Sequence, residues 1–494
     1  MFATRMYLRI IGIAILCSGC AELLGIEETS SVPNRSNAVR LQRVSVGASV
    51  EFNPLDVGTP TPSFFVADTS DPSGIQKIPT TTAEAGRWIA TTRKPIDGVI
   101  YSFSDSPIPH LLSYPGFAGS DLRAYVNLYE HANPKPAASP GPTVMINVTL
   151  PTTYQPTESF AVDAVGAWSH FSVPPPAVGA PALANTSSYS MFKPFDGIGG
   201  SLWQLTAQDV FALLRYDTVT GITKLTGHRV VPVDSTNNTI AVTGIVTPLP
   251  TDQNQNLSAN ITPALVANRF ATTMPASPPP AQSWRIDAAP GYALGLPFGF
   301  MLATGPVAQN AATITAMYTN PFSTQWHPTI NYIAVSQRTF SMGANSTNMT
   351  TALQTVAEAA PSLTLEMAAG LPTKTTLNNM PLNVDGITLS LDVAGPVFVD
   401  ITTDRTQNTL YEVTVVEVAV AGAQITRKPV AVTSGVDTHL PLPPGVLQAG
   451  HTYYLQVLCT AGGYTQAATG DLQTFALPVS RALQEGAVFT IAAS

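Results

Sequence analysis

Proline and glycine interrupt this chain so often that long helices have no room to form. There are 43 Pro and 35 Gly, spread along the chain. A proline inside a helix removes a hydrogen-bond donor and clashes with the preceding turn. Between the interruptions, apolar and polar residues alternate. Val44, Val46, Ala48 and Val50 do so, as do Val144, Ile146, Val148 and Leu150. Ile387, Leu389, Leu391 and Val393 follow the same rule, and so does the run from Leu410 to Val418. A period of two puts one face of a strand on a core and the other toward water. The chain is therefore expected to be all-β, with several β-sandwich domains in tandem. At about 100–150 residues per domain, 494 residues suggest three or four of them.

Charged residues make up only 11% of the chain, against about 25% in an average soluble domain. Hydrophobic residues stand at 45%, which is not the composition of a disordered chain. Thr, Ser, Asn and Gln fill the gap. The 23 basic residues are scattered and outnumbered by 31 acidic ones. That argues against nucleic acid as a partner and against a polybasic contact with anionic lipid.

Asn133–Pro142 holds four prolines and reads as a linker. It separates a first expected sandwich, 41–131, from a second, 143–250. A β-rich third region covers 251–380, and a fourth sandwich covers 381–494. Arg87–Thr92, Gly98–Phe103 and Leu122–Leu128 read as strands of the first. Gly86-Arg87-Trp88 and Gly166-Ala167-Trp168 recur in the first and second, which is too little to establish a repeat. Around Asp209–Tyr216 a helix and a strand compete, since Thr206 and Asp209 could form a capping box. The turn signal Asp217-Thr218-Val219-Thr220-Gly221 favours a hairpin with Ile222–Leu225 as its second arm. The spacing of Leu353, Val356, Ala357 and Ala360, with Pro361 beyond, predicts one short helix over 350–360.

From Ala288 to Gln337 there is no Asp, Glu, Lys or Arg. Prolines cut this stretch into pieces too short for a membrane-spanning helix. Two readings are open. The segment forms strands buried between two sheets, or Tyr292, Tyr318, Trp326 and Tyr332 form an exposed aromatic surface for a glycan or another envelope component.

The N-terminus carries Arg5 and Arg9, then the apolar run Ile10–Leu16, then Ser18-Gly19-Cys20. A basic start, a short apolar run and small residues describe a secretory signal peptide over 1–19. Ser18-Gly19-Cys20 resembles a bacterial lipobox, with Cys17 where the family usually has Leu. The resemblance implies that Cys20 is acylated and anchors the chain to a membrane through lipid. The following Ala21-Glu22-Leu23-Leu24-Gly25-Ile26 resembles the segment after the acylated cysteine of myxobacterial lipoproteins. Together with Ala21 in place of a retention Asp, it implies the outer membrane. Residues 20–40 are expected to be a tether. Of the three cysteines, Cys17 leaves with the leader and Cys20 carries lipid. Cys459 then has no partner for an intramolecular disulfide and reads as a small buried apolar side chain.

Leu447, Gly450 and Tyr453 occupy the spacing found where two strands meet at a sandwich corner. This resembles the E–F corner of fibronectin type III domains. The resemblance implies an immunoglobulin/fibronectin III-like sandwich and a structural role for Tyr453 as a tyrosine corner, its hydroxyl bonded to upstream backbone. It carries no chemistry.

Searches for hydrolase, phosphate-loop and paired-cysteine motifs find nothing. The seven histidines are scattered, without metal-ligand spacing. Asp68–Gly74 offers two carboxylates and a glycine but lacks a full calcium loop, and reads as a solvated turn. No catalytic, metal or cofactor residue is assigned. The expectation is a non-enzymatic outer-membrane lipoprotein, facing the periplasm or the cell surface. Its sandwiches would bind an envelope protein or glycan, or act as spacers. The alternative is a secreted or surface hydrolase with accessory sandwiches, which a deep polar cleft in a domain of over about 200 residues would favour.

Overall fold

The computed structural model describes residues 143–164, 169–188, 211–232, 239–274, 277–290, 299–322, 326–422, 424–467 and 476–492. Before these it describes 35–40, 42–46, 50–54, 63–67, 75–84, 86–92, 96–103, 106–117, 121–122 and 129–130. The protein is all-β. Among the described residues one α-helix occurs, α1, Pro263–Thr273.

The strands group into four units. In the first, β1 is Arg35–Arg40, β2 Ser63–Ala67, β3 Ile75–Ile78, β4 Arg87–Thr92, β5 Ile96–Phe103, β6 Ser106–Phe117 and β7 Asp121–Leu122. The second holds β8 Thr143–Thr149, β9 Glu158–Ala164, β10 Ser169–Val173, β11 Ala182–Ser188, β12 Phe211–Val219, β13 Ile222–Val231 and β14 Thr239–Ile245. In the third, β15 is Gln255–Asn260, β16 Ala281–Pro290, β17 Phe300–Pro306, β18 Thr313–Tyr318, β19 Trp326–Met342, β20 Asn345–Glu358 and β21 Ser362–Thr364. The fourth holds β22 Pro372–Leu377, β23 Ile387–Leu389, β24 Phe398–Thr403, β25 Leu410–Ala421, β26 Gln424–Gly435, β27 His439–Pro441, β28 Thr452–Gly463 and β29 Ala476–Ile491.

The first three units share one wiring. In each, the first strand pairs antiparallel with the fourth and parallel with the seventh. The second strand pairs with the third and fifth, and the fifth with the sixth. In the second and third units the result is a three-stranded sheet and a four-stranded one; in the first, Thr80–Glu84 pairs with β4 and adds a fourth strand to the smaller sheet. What differs is the insertion after the first strand. It includes the hairpin Gln42–Val46 and Val50–Pro54 in the first unit, a short turn-rich loop in the second and α1 in the third. The fourth unit is wired differently, with β22-β24-β27 in one sheet and β26-β25-β28-β29 in the other.

The four-stranded sheets join edge to edge. β13 of the second unit pairs with β17 of the third, β20 of the third with β29 of the fourth, and β26 of the fourth runs parallel to β6 of the first. One hydrogen-bonded ladder thus passes through all four units in the order second, third, fourth, first. Val144, Ile146 and Val148 of β8 face Phe160, Val162, Phe211 and Leu213 across the core of the second sandwich. A larger apolar core fills the third and fourth units and extends onto the outer face of β9 and β12.

Several expectations change. Residues 345–358, where a helix was read over 350–360, form strand β20. The buried face of that strand includes Thr351 and Thr355 beside Met349 and Leu353. Their polarity hid the period of two and left only the apolar spacing of a helix. Residues 35–40, placed in the tether, form β1, paired with β4 along its whole length. The edge placed at 380–381 falls inside the fourth unit, because β22 at 372–377 is the antiparallel neighbour of β24. The hairpin β12–β13 is present, and Thr220 and Gly221 turn it with φ of 52° and 81°. Positive φ at both central residues suits a tight hairpin turn.

Candidate functional site at the joint of the second and third sandwiches

Strand side chains alternate, so β9 points Phe160 and Val162 into its own sandwich core and turns Ser159, Ala161 and Asp163 outward. The register sets Ser172 of β10 beside Ala161. It sets Tyr216 of β12 beside Ser159 and Ala212 beside Asp163. Met301 of β17 reaches over from the third unit. Together Ser159, Ala161, Ser172, Tyr216 and Met301 bound a half-open hollow of about 280 Å³.

Charged groups lie buried near it. Asp163 is 3% exposed and Asp287 of β16 is fully buried. Arg285 Nε donates to Asp287 Oδ1 at 2.6 Å, and its Nη2 donates to the Gly299 carbonyl at 3.3 Å. Burial pushes the Tyr216 phenol well above its usual range, and Asp163 pushes it further. Arg285 acts the other way and Asp287 adds to the rise. The Tyr216 hydroxyl is buried and makes no hydrogen bond among the described residues. A phenol held neutral in this way is no nucleophile. Among the described residues no cluster of His, Cys, Asp and Glu could hold a metal ion.

An aromatic cluster seals the same joint. Phe300 stacks on Phe322 with ring centres 4.1 Å apart and leans on Trp326 at 5.0 Å. His228 of β13 meets Phe322 edge-on at 5.9 Å, and burial lowers its pKa, opposed by a hydrogen bond with the Thr247 backbone.

The residues singled out in the sequence fall elsewhere. Cys20, Tyr292 and the Asp68–Gly74 turn lie outside the described residues. Tyr318, Trp326 and Tyr332 do not form an exposed surface. They are 5%, 4% and 0% exposed, because the uncharged stretch builds strands whose inward positions they occupy. Burial pushes the Tyr318 phenol up to about 12. The Tyr332 hydroxyl donates to Gln282 Oε1. Cys459 is buried, its thiol pushed up to about 12 by burial and then by Asp404. Tyr453 is 1% exposed, and its hydroxyl accepts the Gln448 backbone N–H at 3.1 Å. Two histidines that looked isolated have carboxylate partners. His439 Nδ1 lies 2.6 Å from Asp400 Oδ1, and His451 Nδ1 lies 2.5 Å from Glu417 Oε1. The first pair bridges neighbouring strands and the second joins β25 to the residue just before β28, relations that sequence spacing cannot reveal.

No family model matches the chain, and no curated protein resembles it.

Proposed function

We propose that the protein is an outer-membrane-anchored lipoprotein whose β-sandwiches form a non-catalytic scaffold for an envelope protein or glycan, or a spacer. The observation that carries this reading is the ladder through all four units. Backbone hydrogen bonds between units resist bending in a way that flexible linkers do not. Such a body suits holding surfaces at a fixed distance from a membrane. The lipobox-like Ser18-Gly19-Cys20 supports the anchor, since acyl chains contribute about 0.8 kcal/mol per buried methylene. No helix among the described residues is long and apolar enough to cross a membrane.

We also read the fourth unit as fibronectin type III-like. Its two sheets and the bond between Tyr453 and the Gln448 backbone support that reading. The anchor is tested by Cys20→Ser. Full-length protein should leave the membrane fraction and become soluble, whereas a mutant that still floats with membranes would place the anchor elsewhere. Protease treatment of whole cells then separates the surface from the periplasm.

A further inference from the structure

The small sheets of the second and third sandwiches carry outer faces without charge. None of their six strands, β8, β11 and β14 in one and β15, β18 and β21 in the other, holds an Asp, Glu, Lys, Arg or His. The small sheet of the fourth unit differs, with Lys374 on β22, Asp400 on β24 and His439 on β27. Strand alternation turns every second side chain of the six strands outward. Register then sets these side chains in rungs across each sheet. Asn147 lies between Ala184 and Thr243, and Thr149 between Ala182 and Ile245. In the third unit Ser258 lies between Thr315 and Ser362, and Asn260 between Thr313 and Thr364. Neighbours stand about 4.8 Å apart across the strands and about 6.8 Å apart along them. Arg229 of β13 meets the second unit's small sheet at its margin, where its Nε donates to the Thr243 carbonyl at 2.9 Å.

These rungs offer hydroxyls and amides that both donate and accept hydrogen bonds, with methyl groups between them. They hold no Trp, Tyr or Arg, the residues that anchor protein partners. They give an acidic polymer no cation to pair with. A polymer that is itself uncharged and rich in hydroxyls fits them, because it exchanges hydrogen bonds with the rungs and strips no ion of water. Each such contact is weak, so affinity comes from repetition. Two faces on sandwiches joined by a β-ladder supply that repetition. We propose that these two faces bind an uncharged polysaccharide lying across the rungs. The proposal rests on the glycan side of the scaffold reading and names the class of glycan.

The test is co-sedimentation of the full chain, in detergent, with cellulose and with cross-linked dextran, both uncharged, and with carboxymethyl-cellulose, the anionic form of the first. At least one uncharged polymer should carry the protein down, by an amount that does not fall as salt rises. Carboxymethyl-cellulose should hold less. Asn147→Asp and Asn260→Asp put a charge on an exposed rung of each face without changing its shape. Each should weaken binding by about tenfold and the pair should abolish it, with the melting temperature unchanged. Binding to neither uncharged polymer, or stronger binding to carboxymethyl-cellulose, would overturn the proposal. Binding that survives the double variant would place the glycan away from these faces and overturn it as well. None of these outcomes bears on the lipid anchor, which Cys20→Ser reads separately.

Discussion

The joint between the third and fourth sandwiches and the joint between the second and third join the same kind of sheet edge, yet they are built differently. Between the third and fourth, β20 and β29 pair from Thr351–Gln484 to Val356–Val479. The main core runs across this joint. Phe340, Met349, Val416, Val418, Tyr454 and Val488 of both units form a second cluster. Arginines bind this joint to backbone as well as to carboxylates. Arg269 of α1 donates to both oxygens of Asp404, at 2.7 and 2.9 Å, and to the carbonyls of Met367 and Ala369. Arg427 joins Glu485 to Thr347 and to the Asn348 carbonyl, and lies over the Tyr454 ring. Ser480 Oγ accepts the Ala369 N–H at 3.1 Å. Between the second and third, the ladder is reduced to Thr223–Thr304 and Lys224–Ala303. The remaining contact is side-chain packing around the hollow and the aromatic cluster. The first joint merges two sandwiches into one core. The second keeps a separate core inside the second sandwich and packs only the outer face of β9 and β12 on the main core, around the hollow.

This contrast predicts graded effects. Arg269→Ala should be the most damaging change. It leaves Asp404 and two carbonyls without their cation in a nearly dry site, which costs about 3–5 kcal/mol. Urea unfolding followed by tryptophan fluorescence should show that loss, and a loss below about 1 kcal/mol would mean that the joint does not depend on it.

The junction of the fourth and first units should respond to acid. His110 of β6 sits opposite Val432 of β26, and burial lowers its pKa from 6.5 to about 4. Above pH 6.5 the ring is neutral whether folded or unfolded. Between pH 6.5 and about 4 only the unfolded form takes up the proton, so stability falls as pH falls through that window and levels off below it. His110→Gln should flatten this part of the stability-versus-pH curve.

The smallest effects concern neighbouring tyrosines that serve different clusters. Tyr453→Phe removes the bond from the Gln448 N–H and should cost about 1 kcal/mol. Tyr454 faces the opposite side, inside the second cluster, and its hydroxyl donates to Glu485 Oε1 at 3.2 Å. Tyr454→Phe should cost a similar amount, because that side chain is buried and hydrogen-bonded too. A negligible effect at 454 would argue that the second cluster contributes little to the joint.

Alternation made the class of fold readable, and turn chemistry made the β12–β13 hairpin readable. Leu447, Gly450 and Tyr453 located a corner whose hydroxyl bond is present. Side chains that break the apolar code hid the rest. Thr351 and Thr355 are buried because Thr351 reaches Met274 Sδ at 3.0 Å and Thr355 reaches Ser480 at 3.1 Å, so a strand looked like a helix. Conversely, α1 buries Val266, Arg269 and Phe270, and the charged member of that stripe concealed a helix opened by Thr262-Pro263. The threefold wiring left almost no trace in the residues. The Gly-x-Trp echo does not report it: Trp88 lies in β4, and Gly166-Ala167-Trp168 lies outside the described residues. A shared strand order constrains which edges meet, not which side chains fill the core. The hollow and the joints were beyond reach for a related reason, since each brings together residues far apart in sequence.

Hydrogen exchange on the intact chain, read by mass spectrometry, tests the difference between the joints most directly. Backbone amides in 345–358 and 476–491 should open together, as slowly as the central strands of the fourth sandwich. Amides around 222–225 and 303–304 should open faster, with the second sandwich separating from the third before either unfolds. Independent opening of 345–358 and 476–491, or equal protection at both joints, would contradict the merged core.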